Sequence, residues 1–298
     1  MNAVHEQFGA TPRGTEPGAP RWRRVEKGSG TLEPEDGGLR FCLRDATSTQ
    51  YSNAQIDDYQ GLARRAFAWR PPLRLTVRAR FSQPPMTGDG GESGLKGTAG
   101  FGFWNDPFLM TELRVVTLPR AAWFFYASPP SNMKLDLDTP GYGWKAATVD
   151  ALRPAALLLA PLALPAVLLM NVPALYRKLW PPIQRRLNVA EALVGVDARQ
   201  WHTYELQWGP GRARFSVAAE GEPPRLVLDA PAPHGPLGFV MWMDSQYLVA
   251  TPWGKLRWGL LDVPGEQWLE VSHLDIVPAP VAHSKRNRHT ASPKKTAV

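Results

Sequence analysis

The chain has 298 residues, of which 44% are apolar and 20% charged, with 30 Pro, 26 Gly and 12 Trp; this globular, turn-rich, aromatic composition excludes fibrous, wholly disordered and disulfide-scaffold classes. The single cysteine, Cys42, has no partner for an intramolecular disulfide and reads as a small buried hydrophobe. Of the net charge of +7, five Lys/Arg with no acid fall in residues 283–298, leaving +2 elsewhere, and no recognition motif accompanies that charge, so no nucleic-acid partner is expected.

Residues 1–20 hold acids and prolines but no apolar run, which predicts a disordered tail rather than a secretory signal, and a cytoplasmic location follows as the default. A single domain is expected over 21–282. Its first β-like run is Leu39–Leu43, followed by Leu73-Arg74-Leu75-Thr76-Val77-Arg78-Ala79-Arg80-Phe81, where apolar and polar residues alternate with the period of a half-buried strand. Gly100–Trp104 and Ala121–Tyr126 are further runs. Thr203–Trp208 alternates again, Gly209-Pro210-Gly211 turns the chain, and Arg212–Val217 returns, which predicts a β-hairpin. Arg225–Leu228, Phe239–Met243 and Trp268–Ile276 complete a set of short runs separated by Gly, Pro and Asp. This pattern predicts an all-β antiparallel sandwich or jelly roll. Residues 283–298 read as a basic disordered tail.

One stretch, within an apolar and helical insertion expected over 145–195, breaks the pattern. Pro154–Tyr176 runs twenty-three residues without a charge, the length of a membrane-spanning helix. Pro161 and Pro165 lie at its centre and remove backbone donors where none can be spared, which argues against a straight span. Trp180, Arg185 and Arg186 follow, with the composition of an interfacial anchor. Two readings stand side by side. In one, short helices bury their leucines against each other and the sheet. In the other, Leu157, Leu158, Leu162, Leu164, Leu168 and Leu169, with Trp180, Arg185 and Arg186, contact a membrane or a partner.

The hairpin Trp201-His202-Thr203-Tyr204-Glu205-Leu206-Gln207-Trp208-Gly209-Pro210-Gly211-Arg212-Ala213-Arg214-Phe215 resembles one in the concanavalin A-like lectin/glucanase superfamily, and most of all in glycoside hydrolase family 16, which includes laminarinases. Gly97–Trp104, Gly238–Asp244 and Val271–Val277 follow that family's strand order, so the resemblance covers about Phe41 to Val277 apart from the insertion. It implies a concanavalin A-like sandwich and a carbohydrate or glycolipid partner. Family 16 chemistry needs Glu-x-Asp-x-x-Glu on one strand, because two carboxylates must flank the glycosidic bond at roughly 5–5.5 Å. Here the corresponding interval, Pro119–Ser128, carries no acid. Strand-like acid pairs occur elsewhere, at Glu33/Glu35, Asp136/Asp138 and Glu220/Glu222, none with the third acid. Binding without the family's hydrolysis is therefore the first expectation, and a glycosidase using relocated acids such as Asp106 and Asp244 is an alternative.

The expected ligand-binding set joins aromatic rings to directional polar groups: Trp104 with Asp106, Trp123 with Tyr126, Trp242 with Asp244 and Gln246, and Gln55 and Asp57 in the polar run Tyr51–Tyr59. His202 reads as structural. Thr87-Gly88-Asp89-Gly90-Gly91-Glu92 leaves a structural calcium open without the alternating acids of a calcium loop, and no other cofactor is expected. The sequence does not fix the oligomeric state.

Overall fold

The computed structural model describes residues 3–7, 22–85, 94–107, 115–158 and 160–279. Its strands are β1 (Val4–Gln7), β2 (Arg23–Lys27), β3 (Gly30–Glu35), β4 (Gly38–Ala46), β5 (Asn53–Asp57), β6 (Leu73–Phe81), β7 (Thr98–Trp104), β8 (Arg120–Ala127) and β9 (Gly143–Asp150). Helices α1 (Pro154–Leu157), α2 (Ala163–Leu169) and α3 (Pro173–Arg186) follow. The chain then forms β10 (Ala190–Leu193), β11 (His202–Trp208), β12 (Arg212–Ala219), β13 (Arg225–Pro231), β14 (Gly238–Asp244), β15 (Gln246–Ala250), β16 (Leu256–Leu260) and β17 (Val263–Pro278).

Two large antiparallel sheets result, which makes the molecule the β-sandwich with a helical insertion that the sequence predicts. Sheet A runs β13-β12-β11-β6-β17-β4-β3, with β1 also on β17; sheet B runs β10-β9-β8-β7-β14-β5-β2. The alternation in β6 is realised residue by residue: Leu73, Leu75, Val77, Ala79 and Phe81 are buried, and the residues between them are not. β11 and β12 form the hairpin around Gly209, whose N–H donates to the Arg212 carbonyl at 2.8 Å. Between the sheets, Phe101, Phe124, Trp144 and Tyr204 pack with ring centroids 5.2–6.1 Å apart, several of them edge to face, the geometry that ring quadrupoles favour. Cys42 is fully buried, and burial pushes its thiol up to about 12, as suits an inert core residue.

Sheet B differs from sheet A in having strands buried on both faces. Every residue of β7, β9 and β14 is buried. Residues 133–140 lie over the β9–β10 flank of its outer face, and α2 and α3 stack on them: Trp180 Nε1 donates to the Leu135 carbonyl at 3.1 Å and Gln184 Nε2 to Asp136 Oδ2 at 2.9 Å. Beneath this cover, Lys145 Nζ meets Glu191 Oε2 at 2.7 Å, and Glu191 Oε1 accepts the N–H groups of Leu135 and Asp136. Burial pushes Lys145 down and Glu191 up, each effect offset by the other's charge.

Three expectations change. The helical part of the insertion occupies 154–186, because Lys145–Asp150 belong to β9 and Ala190–Leu193 to β10; strands buried on both faces lack alternation, so their boundary with an apolar helix carries no signal. Within the predicted N-terminal tail, Val4–Gln7 pair with Gln7's partner His273 through Ile276 on β17, and Val4 is buried. The insertion's leucines do not pack inward: Met170, Tyr176 and Trp180 make the contact, while Leu158, Leu162, Leu164, Leu168 and Leu169 are exposed. Trp180, expected at a membrane or partner surface, is therefore an internal anchor. The Leu157 side chain, the rest of 1–20 apart from residues 3–7, the Thr87–Glu92 run and the 283–298 tail lie outside the described residues.

Lys145→Met leaves Glu191 buried without its counter-charge, and the expected loss is about 3–5 kcal/mol of unfolding free energy in urea titration. Lys145→Met combined with Glu191→Gln keeps an acceptor for the two N–H groups and is expected to recover at least half of that loss.

Candidate functional site

Alternation in sheet B decides which side chains leave the sandwich. On β7, Ala99, Phe101 and Phe103 enter the inter-sheet core, so Thr98, Gly100, Gly102 and Trp104 face outward. The register puts Trp242 beside Gly100 and Phe125 beyond it, with Trp123 beside Gly102. A Cβ on Gly100 would stand 3.2 Å from Trp242 Cη2, and one on Gly102 would stand 2.6 Å from Trp123 Cβ. These two glycines leave the space in which the neighbouring aromatic side chains lie against β7.

Four rings thus gather on the outer face. Trp104 and Trp242 are nearly parallel, 8° apart with centroids at 6.4 Å; Trp123 lies 5.7 Å from each, and Phe125 lies 5.2 Å from Trp123. Trp104, Phe125 and Trp242 are buried and Trp123 is half-buried. Tyr59 and Phe67 belong to the same buried cluster, and Met133, Leu135 and Leu187 pack against it.

Polar groups border the rings along β5 and at the end of β14. Asn53, Gln55 and Asp57, two residues apart, share the outer face: Asn53 Nδ2 donates to Gln55 Oε1 at 3.4 Å and Gln55 Nε2 to Asp57 Oδ2 at 2.9 Å. Asp57 also accepts from the Tyr59 and Gln60 N–H groups and from Gln60 Nε2. At the other border, Trp242 Nε1 donates to Thr98 Oγ1 at 2.9 Å, and that hydroxyl donates to Asp244 Oδ1 at 2.7 Å. Asp244 further accepts the Gln246 N–H at 3.1 Å and the Tyr51 hydroxyl at 3.4 Å. Burial pushes Asp244 up to about 6 and raises Asp57 as well, because desolvation outweighs the hydrogen bonds to each carboxylate.

The fold therefore brings Gln55, Asp57, Trp104, Trp123, Trp242 and Asp244 to one face and sets Gln246 at its edge. It does not bring Tyr126 there. Tyr126 points into the inter-sheet core and its hydroxyl donates to the Leu95 carbonyl at 2.5 Å; both faces of β8 are apolar, so the sequence does not tell them apart. Asp106 is buried just past β7 in the left-handed region, at φ 47°, where Arg64 Nη2 binds its carbonyl oxygen. Thr98 faces Asp244, and Trp104 already stands six residues from Thr98, roughly 20 Å along the strand. Asp106 and Asp244 consequently cannot flank one bond, which overturns them as relocated catalytic partners. Asp57 and Asp244 are four residues apart in register on β5 and β14, roughly 13 Å, beyond the ~5–9.5 Å that glycoside hydrolysis uses. The outward positions of β8 are Ala121, Trp123, Phe125 and Ala127. Asn53, Thr98 and Phe125 were not singled out from the sequence, although their two-residue spacing from Gln55, Gly100 and Trp123 marks the shared face. His202 is buried with Nδ1 donating to the Gln200 carbonyl, a structural role. Among the described residues, no group of three His, Cys, Asp or Glu side chains is placed to hold a metal ion.

No family model matches the sequence, and no curated protein matches it. Similar solved structures include the exoplasmic/lumenal domain of VIP36 in its Ca2+/Man-bound form, at 12% identity over 95% of this chain and 91% of that one, with a TM-score of 0.49. The Bacillus licheniformis β-glucanase is similar at 10% identity over 94% and 99% of the two chains, TM-score 0.46. A β-1,3-1,4-glucanase (lichenase) from a mouse hindgut metagenome is similar at 11% identity over 94% and 100%, TM-score 0.47. These are concanavalin A-like sandwich proteins, the group that the Trp201–Phe215 hairpin resembles.

The elevated Asp244 carboxyl makes stability depend on pH. The pKa of this carboxyl, held at about 6, lies above the usual aspartate range, so the native state holds the proton more tightly, and the contribution of this group to stability is fully present below about pH 4 and is lost as pH rises through about 6. Urea unfolding of wild type and Asp244→Asn should show that, between about pH 4 and 6, the stability of the wild type falls relative to that of the variant.

Proposed function

We propose that the outer face of sheet B binds a carbohydrate, either free or as the headgroup of a glycolipid, without hydrolysing it. One observation carries this reading: the ring cluster includes and borders buried polar atoms with no hydrogen-bond partner among the described residues. Trp104 Nε1 and Asn53 Oδ1 find no hydrogen-bond partner among the described residues, and each such buried atom costs about 1–3 kcal/mol unless something pairs with it. One is a donor and the other an acceptor, and sugar hydroxyls supply both complements while pyranose C–H faces stack on indoles. The separation of Asp57 from Asp244, and the alanines and aromatic rings on β8, support binding rather than two-carboxylate hydrolysis.

Isothermal titration with glucose oligomers, β-1,3- and β-1,4-linked, and with mannose oligomers tests it. Saturable binding to at least one series is expected, weakened about tenfold or more by Trp123→Ala and less by Trp123→Phe, since a flat ring remains. Trp201→Ala, whose ring lies under Arg78 and Arg80 on sheet A, should leave the affinity unchanged. No heat of binding at millimolar oligomer from any series, with the protein folded, overturns the reading.

A further inference from the structure

The insertion presents an apolar surface whose inner side is already committed. Met170, Tyr176 and Trp180 fix α2 and α3 to Leu137 and Trp253, and Asn171 Nδ2 donates to the Trp253 carbonyl at 3.1 Å. Ala166 and Val167 of α2 face this contact. Leu164 and Leu168, one helical turn apart, are then left on the other side and are 70% and 63% exposed. Leu158 is 76% exposed, and Leu162, Leu169 and Val172 are exposed with them.

A second element adjoins. β15 and β16 form a hairpin whose connecting residues include Trp253, 5.0 Å from the Tyr176 ring, and Gly254, whose added Cβ would stand 2.6 Å from Val167 Cγ1. On this hairpin Leu256 and Trp258, two apart and so on one face, are 68% and 70% exposed. Lys255 and Arg257 beside them are exposed too. The sequence does not show this partnership, because β10 to β14, strands of both sheets, lie between the two elements in the chain.

Charge identifies the occupant. From Ala151 to Ala190 there is no acidic residue, while Arg153, Arg177, Lys178, Arg185 and Arg186 are cationic. Arg177, Lys178, Arg185 and Arg186 are exposed. A second copy of this chain would bring like charges together. An anionic bilayer offers apolar acyl chains below the leucines and negative headgroups for the cations, the two signals that stable peripheral binding combines. Among the described residues no helix is long and apolar enough to cross a membrane, and α2 and α3 are held flat on the protein by their buried side. We propose that the α1–α3 insertion and the β15–β16 hairpin together form a docking surface for an anionic lipid bilayer, entering one leaflet without spanning it. This proposal is independent of the carbohydrate reading.

Flotation of the full chain with vesicles of phosphatidylcholine alone, or of phosphatidylcholine with phosphatidylserine, tests it. Wild type is expected to float with the phosphatidylserine vesicles and to be largely released by about 0.5 M salt. Leu164→Ser/Leu168→Ser and Arg185→Glu/Arg186→Glu should each lower partitioning about tenfold or more while thermal unfolding stays at the wild-type temperature, since all four side chains are exposed. Trp258→Ser should lower it severalfold. Wild type that stays in the bottom fraction with both vesicles overturns the proposal, as does flotation that the leucine and arginine pairs leave unchanged. Self-association abolished by the leucine pair without vesicle binding overturns it in favour of a protein partner, and unchanged flotation of Trp258→Ser overturns the hairpin's part.

Discussion

Every residue of β7, β9 and β14, strands of sheet B, is buried, so each of their outward side chains needs an apolar neighbour or a hydrogen-bond partner above it. That demand produces the cover of residues 133–140 and the stacked helices, and it places Lys145 against Glu191 in the one arrangement where both charges are paired and hydrogen-bonded. It also explains the relay from Trp242 through Thr98 to Asp244, which satisfies an indole N–H while holding a carboxylate away from water.

The same constraint shapes the candidate site. Aromatic rings can lie over β7 because glycine occupies two of its outward positions, and the rings exclude water from the carboxylates at the borders. Asp57 and Asp244 are consequently harder to ionise than free aspartate. The cover ends at the helices: α2 turns Ala166 and Val167 to the protein, and Leu164 and Leu168 are exposed among the described residues.

Much of sheet A was legible in the sequence. In β6 and in the β11–β12 hairpin one face is wet and the other dry, so the two-residue period of the side chains names the buried ones directly. The Gly209-Pro210-Gly211 turn fixes the hairpin's register, and the sequence from Pro119 to Ser128, which holds β8, contains no acid. The uncharged run from Pro154, broken by prolines, likewise announces short helices rather than a span.

What the sequence by itself determined is therefore the class of fold, the hairpin, the acid-free composition of Pro119–Ser128 and the apolar insertion, because each follows from local pattern or composition. Tertiary structure alone decided that Trp123 rather than Tyr126 reaches the outer face, since a strand apolar on both sides has no pattern to orient it. Register between distant strands decided that Asp106 and Asp244 are far apart. Packing decided that Trp180 turns inward and that the β15–β16 hairpin lies beside α2 and α3, contacts between segments whose separation in the chain leaves no trace in either one's own residues.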